Sequence, residues 1–391
     1  MTAVQTVPLG DIATVERSSV QPSDIRPGTL YVGLEDIESG GDIRCARPVD
    51  RGDLASTKFS FAESHVLYGK LRPYLAKIAA PNFAGICSTD IVPILPGPLL
   101  DRRYLLHFLR QPTMVAFASA RSVGINLPRL SPSVLETFPV PLPSLPEQRR
   151  IAAILDQADD VRAKRQAAQA KLDDLARSIF VQFFGDPVAN PHGWPEDIVL
   201  GDVADIISGI TKGRKLAGAP TREVPYLAVV NVQDRRLNLE TVKTIEATEA
   251  EISRYQLRFG DLLLTEGGDP DKLGRGTLWR EQVAECIHQN HIFRVRTVDP
   301  RVTPLFLNWL VGSERGKRYF MKSAKQTTGI ASINLRQLRA FPLLVPPRAL
   351  QQEFARAIDG VSGLTATVEE SRANVDDLFA SLQFRAFRGE L

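Results

Sequence analysis

The sequence predicts an α+β protein with two mixed globular domains, related by a pseudo-two-fold axis and joined by two long antiparallel coiled-coil helices. Two observations predict this fold class. The chain repeats itself once along its length, and each copy ends in a long segment whose apolar residues follow heptad spacing. A repeat of about 200 residues is too long for a solenoid unit, so each copy must contain a whole domain.

The repeat keeps a constant register where each copy ends. Phe341 lies 203 positions after Phe138, and the segments that follow both residues match at the same offset. Near the start of the copies a Leu-Gly-Asp sequence recurs with an offset of only 191 positions. An Ile-Asn-Leu motif at 125–127 has an apparent counterpart at 333–335. The globular parts therefore differ in length, whereas the joining segments match.

The composition indicates globular domains and no membrane span. The chain has 391 residues, of which 43% are hydrophobic, enough for a core in each copy. It contains no apolar run of about 18 residues, and its first residues lack the order of a signal peptide. The cysteines are three and isolated, at positions 45, 87 and 286, which favours a reducing cytoplasm over a disulfide framework.

The net charge of +3 is concentrated in the globular parts, with +1 in residues 1–146 and +4 in residues 187–346. So small an excess does not by itself indicate nucleic-acid binding, because binding depends on local patches.

Helix start and stop signals divide the chain into four segments. A globular domain is expected over 1–144, a long helix over 145–186, a second globular domain over 187–346 and a second long helix over 347–391. For the first helix, Ser144 and Glu147 fit a capping box, and Gly185 supplies a stop. Forty residues at a rise of 1.5 Å form a rod of roughly 60 Å.

A heptad frame assigns the seam of each helix to its apolar a and d positions. The same frame fits both copies at the 203-residue offset. The seam residues are predicted to be Ile151, Ile154, Val161, Leu172, Leu175, Phe354, Val361, Leu364, Val375 and Leu378. The second rod begins at the far end of the first, so it buries its seam on the first only by running antiparallel.

Three loops in each globular part are candidates for contact with DNA. One follows an apolar strand, one precedes the end of the domain, and one is a basic loop at 210–215. Cations suit phosphates and guanine edges, and short polar side chains suit base edges. The candidate residues are Lys70, Arg72, Tyr74, Lys77, Arg121, Ser122, Asn126, Lys212, Arg214, Lys215, Lys272, Arg275, Lys325, Gln326, Thr327 and Thr328. Each loop alone also fits a solvated basic turn.

Catalytic and cofactor motifs are absent from the sequence. The glycine loop at 267–276 matches neither the phosphate-binding loop nor the dinucleotide fingerprint. Cys286, His288 and His291 lack the spacing of a common zinc site. The acidic residues form no convincing metal-nuclease cluster. We therefore expect no metal and no active site in this chain.

The chain resembles the DNA-specificity subunit of type I restriction–modification systems. The resemblance is carried by the segment Pro141–Gln148 leading into a long helix, by the sequence Gly-Lys-Leu-Arg-Pro-Tyr at 69–74, and by Gly-Asp-Leu-Leu-Leu at 260–264. The two-copy architecture adds to it. The second copy departs from the proline-rich entry around Arg348, which leaves the start of its helix open.

The resemblance implies two target-recognition domains that read a split, asymmetric sequence in double-stranded DNA. It implies docking of two methyltransferase subunits and of motor-nuclease restriction subunits in the cytoplasm. S-adenosylmethionine, ATP and Mg²⁺ are then expected on those partners and not on this chain, which would be non-catalytic. The alternative hypothesis is a coiled-coil scaffold whose terminal domains bind proteins and do not read DNA.

Overall fold

The computed structural model describes residues 5–215, 218–268, 273–327 and 330–391. The chain divides into two compact units. Unit 1 comprises Met1–Ala168 and Val368–Leu391, and unit 2 comprises Gln169–Thr367. Each long helix is therefore shared, with one half in each unit, instead of forming a segment separate from the globular domains.

The globular part of unit 1 mixes short strands with four short helices. Its strands are β1 (Thr6–Pro8), β2 (Ala13–Val15), β3 (Ser19–Val20), β4 (Thr29–Val32), β5 (Arg47–Val49), β6 (Lys58–Phe61), β7 (Val66–Gly69), β8 (Ile78–Ala79), β9 (Gly85–Cys87), β10 (Ile91–Pro96) and β11 (Pro139–Pro141). Its helices are α1 (Leu9–Ile12), α2 (Arg102–Leu109), α3 (Pro112–Ala120) and α4 (Pro132–Glu136).

The first long helix is α5 (Leu145–Phe184). The globular part of unit 2 follows it with the helices α6 (Leu200–Val203), α7 (Glu249–Tyr255), α8 (Pro304–Val311), α9 (Glu314–Ser323) and α10 (Leu335–Arg339). Its described strands are β12 (Ala204–Ser208), β13 (Arg222–Leu227), β14 (Val232–Gln233), β15 (Arg236–Leu237), β16 (Lys243–Ala247), β17 (Leu262–Thr265), β18 (Gly267–Gly268), β19 (Gly276–Leu278), β20 (Ile287–His288), β21 (Ile292–Thr297), β22 (Lys325–Thr327) and β23 (Ile330–Ser332). The chain ends with α11 (Arg348–Ala386).

The same four-stranded sheet is built in both units. Its order is β2-β10-β7-β8 in unit 1 and β12-β21-β17-β19 in unit 2, with antiparallel pairing throughout. A parallel pair recurs as well, β4 with β9 and β13 with β20. The main core of each unit lies between this sheet and the neighbouring helices, and it extends onto the halves of the long helices that belong to that unit. The repeat in the sequence therefore corresponds to a repeat of topology.

A buried glutamine fixes the start of each long helix to its own domain. The Gln148 side chain accepts from the Asp101 amide at 2.8 Å and donates to the carbonyls of Leu99 and Pro143. Gln351, 203 positions on, accepts from the Thr303 amide at 2.8 Å and donates to two carbonyls in the same way. The open question about the start of the second helix is settled by this match, since Gln351 is the counterpart of Gln148.

The ends of α5 follow the predicted signals only in part. Gly185 adopts φ +75° and its amide donates to the Val181 carbonyl, as expected of a helix stop. At the start, however, the Glu147 carboxylate binds the Arg150 guanidinium, so that it does not close a capping box with Ser144. An arginine three residues along the helix surface competes for the same carboxylate.

The two long helices pair through opposite halves. In unit 1, Arg162 of α5 donates to the Asp376 carboxylate at 2.7 Å and lies over the ring of Phe379. In unit 2, the rings of Phe184 and Phe354 are 5.1 Å apart. The first half of one helix thus packs beside the second half of the other within each unit, which is the pairing of an antiparallel arrangement.

The seam lies on the a and e positions, which corrects the predicted d positions. The buried or half-buried residues of α5 include Ile151, Leu155, Leu172 and Ala176, and those of α11 include Phe354, Ile358, Val361 and Val375. Four predicted seam residues are instead exposed, namely Val161, Leu175, Leu364 and Leu378. Ile154 is half-buried. The e positions mix apolar residues such as Leu155 and Ile358 with alanine and with long polar side chains such as Arg162, whose stems also pack.

No helix within the described residues is long and apolar enough to cross a membrane.

Candidate nucleic-acid interface

The first candidate loop follows β7 and has a strained backbone. Arg72 and Ala76 both adopt the left-handed conformation, with φ of +51° and +48°, on either side of a single turn that includes Tyr74. Such conformations cost of order 1–3 kcal/mol each in residues other than glycine and cluster at functional sites. Within this loop, the Tyr74 side chain is exposed, as is that of Arg72, while Lys70 is half-buried.

A second candidate segment closes onto the first. The Arg72 amide donates to the Pro128 carbonyl at 2.7 Å, and the Arg72 guanidinium contacts the Asn126 carbonyl. Val123 and Arg129 exchange two backbone hydrogen bonds of 2.9 Å, which turn the segment into a closed loop. The structure therefore brings together two groups of predicted residues that are about fifty positions apart in the sequence.

Not all of these side chains are free to face a ligand. The Lys77 ammonium donates to the Leu34 carbonyl at 2.8 Å, and the Ser122 hydroxyl donates to the Ser119 carbonyl at 2.7 Å. The Arg121 guanidinium lies 3.4 Å from the centre of the Phe117 ring and is exposed. Among the candidate residues of the two segments, Lys70, Arg72, Tyr74 and Asn126 keep polar side-chain atoms that none of these contacts occupies.

The corresponding segments also meet in unit 2. The short strand β18, which follows the equivalent of β7, pairs with β23, and β23 pairs with β22. Lys325 is exposed at the start of β22, and Arg275 donates to the Gln233 side chain at 3.2 Å. Lys272 and Thr328 lie outside the described residues, as do the side chains of Gln326 and Thr327. Both units therefore join the same two loops, unit 1 by hydrogen bonds between loops and unit 2 by strand pairing.

The basic loop at 210–215 has a different environment. Arg214 makes two hydrogen bonds to the Glu251 carboxylate, of 2.5 and 2.7 Å, and one to the Glu246 carbonyl. The hydrogen bonds from Arg214 lower the pKa of Glu251 to about 2. This pair holds the loop against α7, so that Lys212 and Lys215 are the cations of this loop that remain exposed.

The apparent pairing of the Ile-Asn-Leu motifs is corrected by the structure. Asn334 caps α10, accepting from the Gln337 amide at 2.9 Å, and Ser131 caps α4 in the same way. The counterpart of the motif at 333–335 is therefore 130–132, at the offset of 203. Ile125 is fully exposed, whereas Ile333 is buried. The identity of residues 125–127 with residues 333–335 is therefore a coincidence, and the two segments are not equivalent.

The cluster of Cys286, His288 and His291 does not form a metal centre. Burial lowers the pKa of His288 to about 4, and its Nδ1 faces the Tyr255 carbonyl. His291 points to the Glu266 carboxylate at 2.6 Å. Among the residues that the structure describes, no group of three histidine, cysteine or acidic side chains could hold a metal ion.

A second surface lies on the long helices and includes four residues that the heptad frame places in the seam, Val161, Leu175, Leu364 and Leu378. Every residue of both helices is described, and they carry six exposed large apolar side chains, namely Val161, Leu175 and Val181 on α5 and Leu364, Leu378 and Phe384 on α11. Each of the first three has its counterpart among the second three at the offset of 203.

The fold and this geometry define a class of protein in which one chain carries two copies of a recognition domain on a shared helical frame. Comparison with known proteins specifies the family. Residues 2–171 match the family model described as the type I restriction modification DNA specificity domain. Over these residues the chain carries a type I restriction modification DNA specificity domain.

Its relatives are similar over most of the chain. The specificity subunit of the type I restriction enzyme StySPI from Salmonella potsdam is 23% identical over 79% of this chain and 69% of its own length. The EcoKI specificity subunit from Escherichia coli strain K12 is 24% identical with the same coverage. The EcoDI specificity subunit from Escherichia coli is 29% identical, over 54% of this chain and 48% of that protein.

Two solved structures share the fold. A chain from the work described as "Structural basis underlying complex assembly and conformational transition of the type I R-M system" has a TM-score of 0.54 and 20% identity, covering 100% of this chain and 99% of that one. The type I restriction-modification S subunit from M. genitalium has a TM-score of 0.53 and 14% identity, covering 98% and 96%.

Proposed function

We propose that the chain reads a bipartite, asymmetric sequence in double-stranded DNA, one half with each domain, through the paired loops described above. The observation that supports this most is that both units bring together the same two candidate segments beside the same four-stranded sheet. The two sets of loops differ in length and in side chains, so the two half-sites would differ in sequence.

Removal of the two best-placed cations tests the proposed DNA binding. Replacing Lys70 and Arg72 together by alanine should weaken binding of the full chain to its target. The slope of log K against log[salt] should fall by about 0.9 for each phosphate that the variant no longer neutralises. The matched control removes Arg26 and Arg44, which are exposed on the same domain outside the two segments. Equal affinities and slopes for both double variants would show that the paired loops do not bind DNA.

We further propose that the exposed apolar residues of the long helices dock two methyltransferase subunits. A protein that exposes six large apolar side chains in two matched sets of three presents the same kind of surface twice. A repeated surface suits two copies of one partner. Unit 1 contributes Val161, Leu378 and Phe384, and unit 2 contributes Leu175, Val181 and Leu364.

Partner stoichiometry tests the docking surface. Replacing Val161 and Leu378 by serine should remove one of two partner copies, and replacing Leu175 and Leu364 should remove the other. Native mass spectrometry of the co-expressed complex measures this directly. The control is Leu99→Ser, an exposed apolar residue outside the helices. Two retained copies in both double variants would exclude these positions as the docking surface.

In this proposal the chain is a non-catalytic cytoplasmic subunit, with S-adenosylmethionine, ATP and Mg²⁺ used by methyltransferase and motor-nuclease partners. Methylation should appear only when the methyltransferase is added to the purified chain. Efficient methylation by the chain alone would contradict it. The alternative of a protein scaffold without DNA readout predicts that the full chain, with its partners, selects no sequence from a random duplex pool.

A further inference from the structure

The loop of unit 1 that meets Arg72 ends in an apolar group, here called the apolar tip. Its members are Val123, Ile125 and Leu127, which are 80%, 100% and 47% exposed. Single exposed apolar residues are normal on protein surfaces. Three lie within five positions of one loop, and a group of exposed apolar side chains among polar ones indicates a site of interaction.

The apolar tip is held in place by the backbone. Val123 and Arg129 exchange two hydrogen bonds of 2.9 Å, and Pro128 accepts from the Arg72 amide at 2.7 Å. Gly124 adopts φ +115°, a conformation that side chains other than glycine rarely take, and this turns the loop between Val123 and Ile125. The tip is therefore presented by a closed, hydrogen-bonded loop, which reduces the loss of entropy when it binds a ligand.

The surroundings of the apolar tip are basic. Arg72 and Arg121 are exposed on the two joined segments, and Lys70 precedes Arg72, whereas Arg129 is paired with Asp90 at 3.2 Å. Asn126, between two members of the tip, carries a side-chain amide suited to adenine N6 and N7. A polyanion that also exposes an apolar group would match both features, its charges pairing with the cations and its apolar group contacting the tip. On the major-groove edges of duplex DNA, that group is the 5-methyl of thymine.

We propose that the apolar tip contacts the 5-methyl group of at least one thymine in the half-site read by the N-terminal domain, with Ile125 as the main contact. The inference rests on the proposed DNA reading and names a specificity determinant within it. Val123 and Leu127 flank Ile125 in the loop and extend the apolar area that methyl groups could contact. A wedge between base steps would instead act through one protruding side chain and bend the duplex.

Removal of single methyl groups from the DNA tests this contact. The full chain, purified with the subunits that accompany it, first selects its target from a random duplex pool. Each thymine of the half-site is then replaced by uracil, which keeps base pairing and removes only the methyl group. Binding is measured by fluorescence anisotropy. A buried methylene-sized group contributes about 0.8 kcal/mol, so at least one replacement should weaken binding about fourfold.

The protein side of the test uses Ile125→Ser. This variant should bind the thymine duplex about fourfold more weakly and lose its sensitivity to uracil at that position. Ile125→Leu should retain both properties, and Leu99→Ser on the same unit is the control for removal of an exposed apolar side chain. Because Ile125 is fully exposed, circular dichroism should show the variants folded as the wild type.

Three results would overturn the inference while leaving DNA reading intact. These are a half-site without thymine, a wild-type chain insensitive to every uracil, and an Ile125→Ser variant with unchanged affinity. Loss of affinity and of duplex bending in Ile125→Ser without uracil sensitivity would assign the tip as a wedge instead. A wild-type chain that selects no sequence at all would remove the proposed function itself.

Discussion

The two units fasten equivalent ends of the long helices with different chemistry. In unit 2 the end of α5 enters an aromatic cluster formed by Phe180, Phe184, Phe306, Trp309 and Phe354. In unit 1, Phe387, which directly follows α11, packs against the rings of Tyr104 and Phe108. The two units therefore pack the end of a long helix at equivalent positions but with different side chains.

Unit 1 has a polar network where unit 2 has part of its aromatic cluster. His107, which stands where unit 2 has Trp309 in the equivalent helix, contacts the Asp156 carboxylate at 2.7 Å, and Arg103 binds the same carboxylate. The Gln383 side chain donates to the His107 carbonyl. The stabilisation from apolar burial does not depend on pH, whereas the stabilisation from a carboxylate network is lost when the carboxylate is protonated. We therefore expect the two units to differ in stability and in their response to acid.

The largest effect is expected from the aromatic cluster. Phe184→Ala should destabilise unit 2 by about 3–5 kcal/mol, because the side chain is fully buried and packs against several rings. Phe387→Ala should cost about 3 kcal/mol or less in unit 1, since its ring packs against a smaller aromatic group near the chain end. Urea unfolding with hydrogen exchange in each unit measures both values. Phe384→Ala, an exposed phenylalanine nearby, is the control. Equal destabilisation of the two units would contradict the comparison.

A smaller effect, equal in both units, is expected from the buried glutamines. Gln148→Ala and Gln351→Ala should each cost about 2 kcal/mol, because a buried amide and two carbonyls lose their partner. Urea unfolding checks the values, and Gln352→Ala, an exposed neighbour, should be within about 0.5 kcal/mol of wild type. A large difference between Gln148 and Gln351 would mean that the two helix starts are not equivalent.

The smallest effect is the dependence of unit 1 on pH. Burial alone would raise the pKa of Asp156, but hydrogen bonds from His107 and Arg103 outweigh it and lower the pKa to about 2. Because the folded-state pKa is below the unfolded value, this stabilisation is present above about pH 4 and is lost as the pH falls towards 2. The site is partly exposed, so solvent screening limits the contribution to about 1 kcal/mol.

Asp156→Asn should remove this dependence in unit 1, as measured by urea midpoints between pH 5 and pH 2. The control is Asp359→Asn, at the offset of 203 on α11, where the side chain is exposed. If both variants keep the wild-type slope of stability against pH, the network contributes nothing in this range.

The sequence alone predicted the elements with strong periodic or capping signals. The two long helices are both present, and Gly185 ends the first of them. Of the candidate DNA residues, the sequence placed Lys70 and Arg72 together in one loop, which the structure also shows. It did not show that Lys77 and Arg214 are held by protein groups, because Leu34 and Glu251 are distant in the chain.

The apolar row at Val161 and Leu175 shows why the predicted seam is wrong at the d positions. Heptad periodicity in a sequence indicates that a row of apolar side chains is buried. It does not indicate whether the partner helix or another protein buries that row. The e positions are mixed, since Leu155 is apolar whereas Arg162 is charged and Ala176 is small, so they form no continuous apolar row in the sequence. In the structure, Arg162 packs its guanidinium over the Phe379 ring and pairs with Asp376.

The sequence by itself determined that the chain is a duplicated domain with a helical rod in each copy, because duplication and heptad spacing are properties of residue order. Only the tertiary structure decided which face of each rod is buried and which loops meet. Those outcomes depend on contacts between residues far apart in the chain, such as Arg72 with Pro128 and Arg162 with Asp376, whose partners no local pattern specifies.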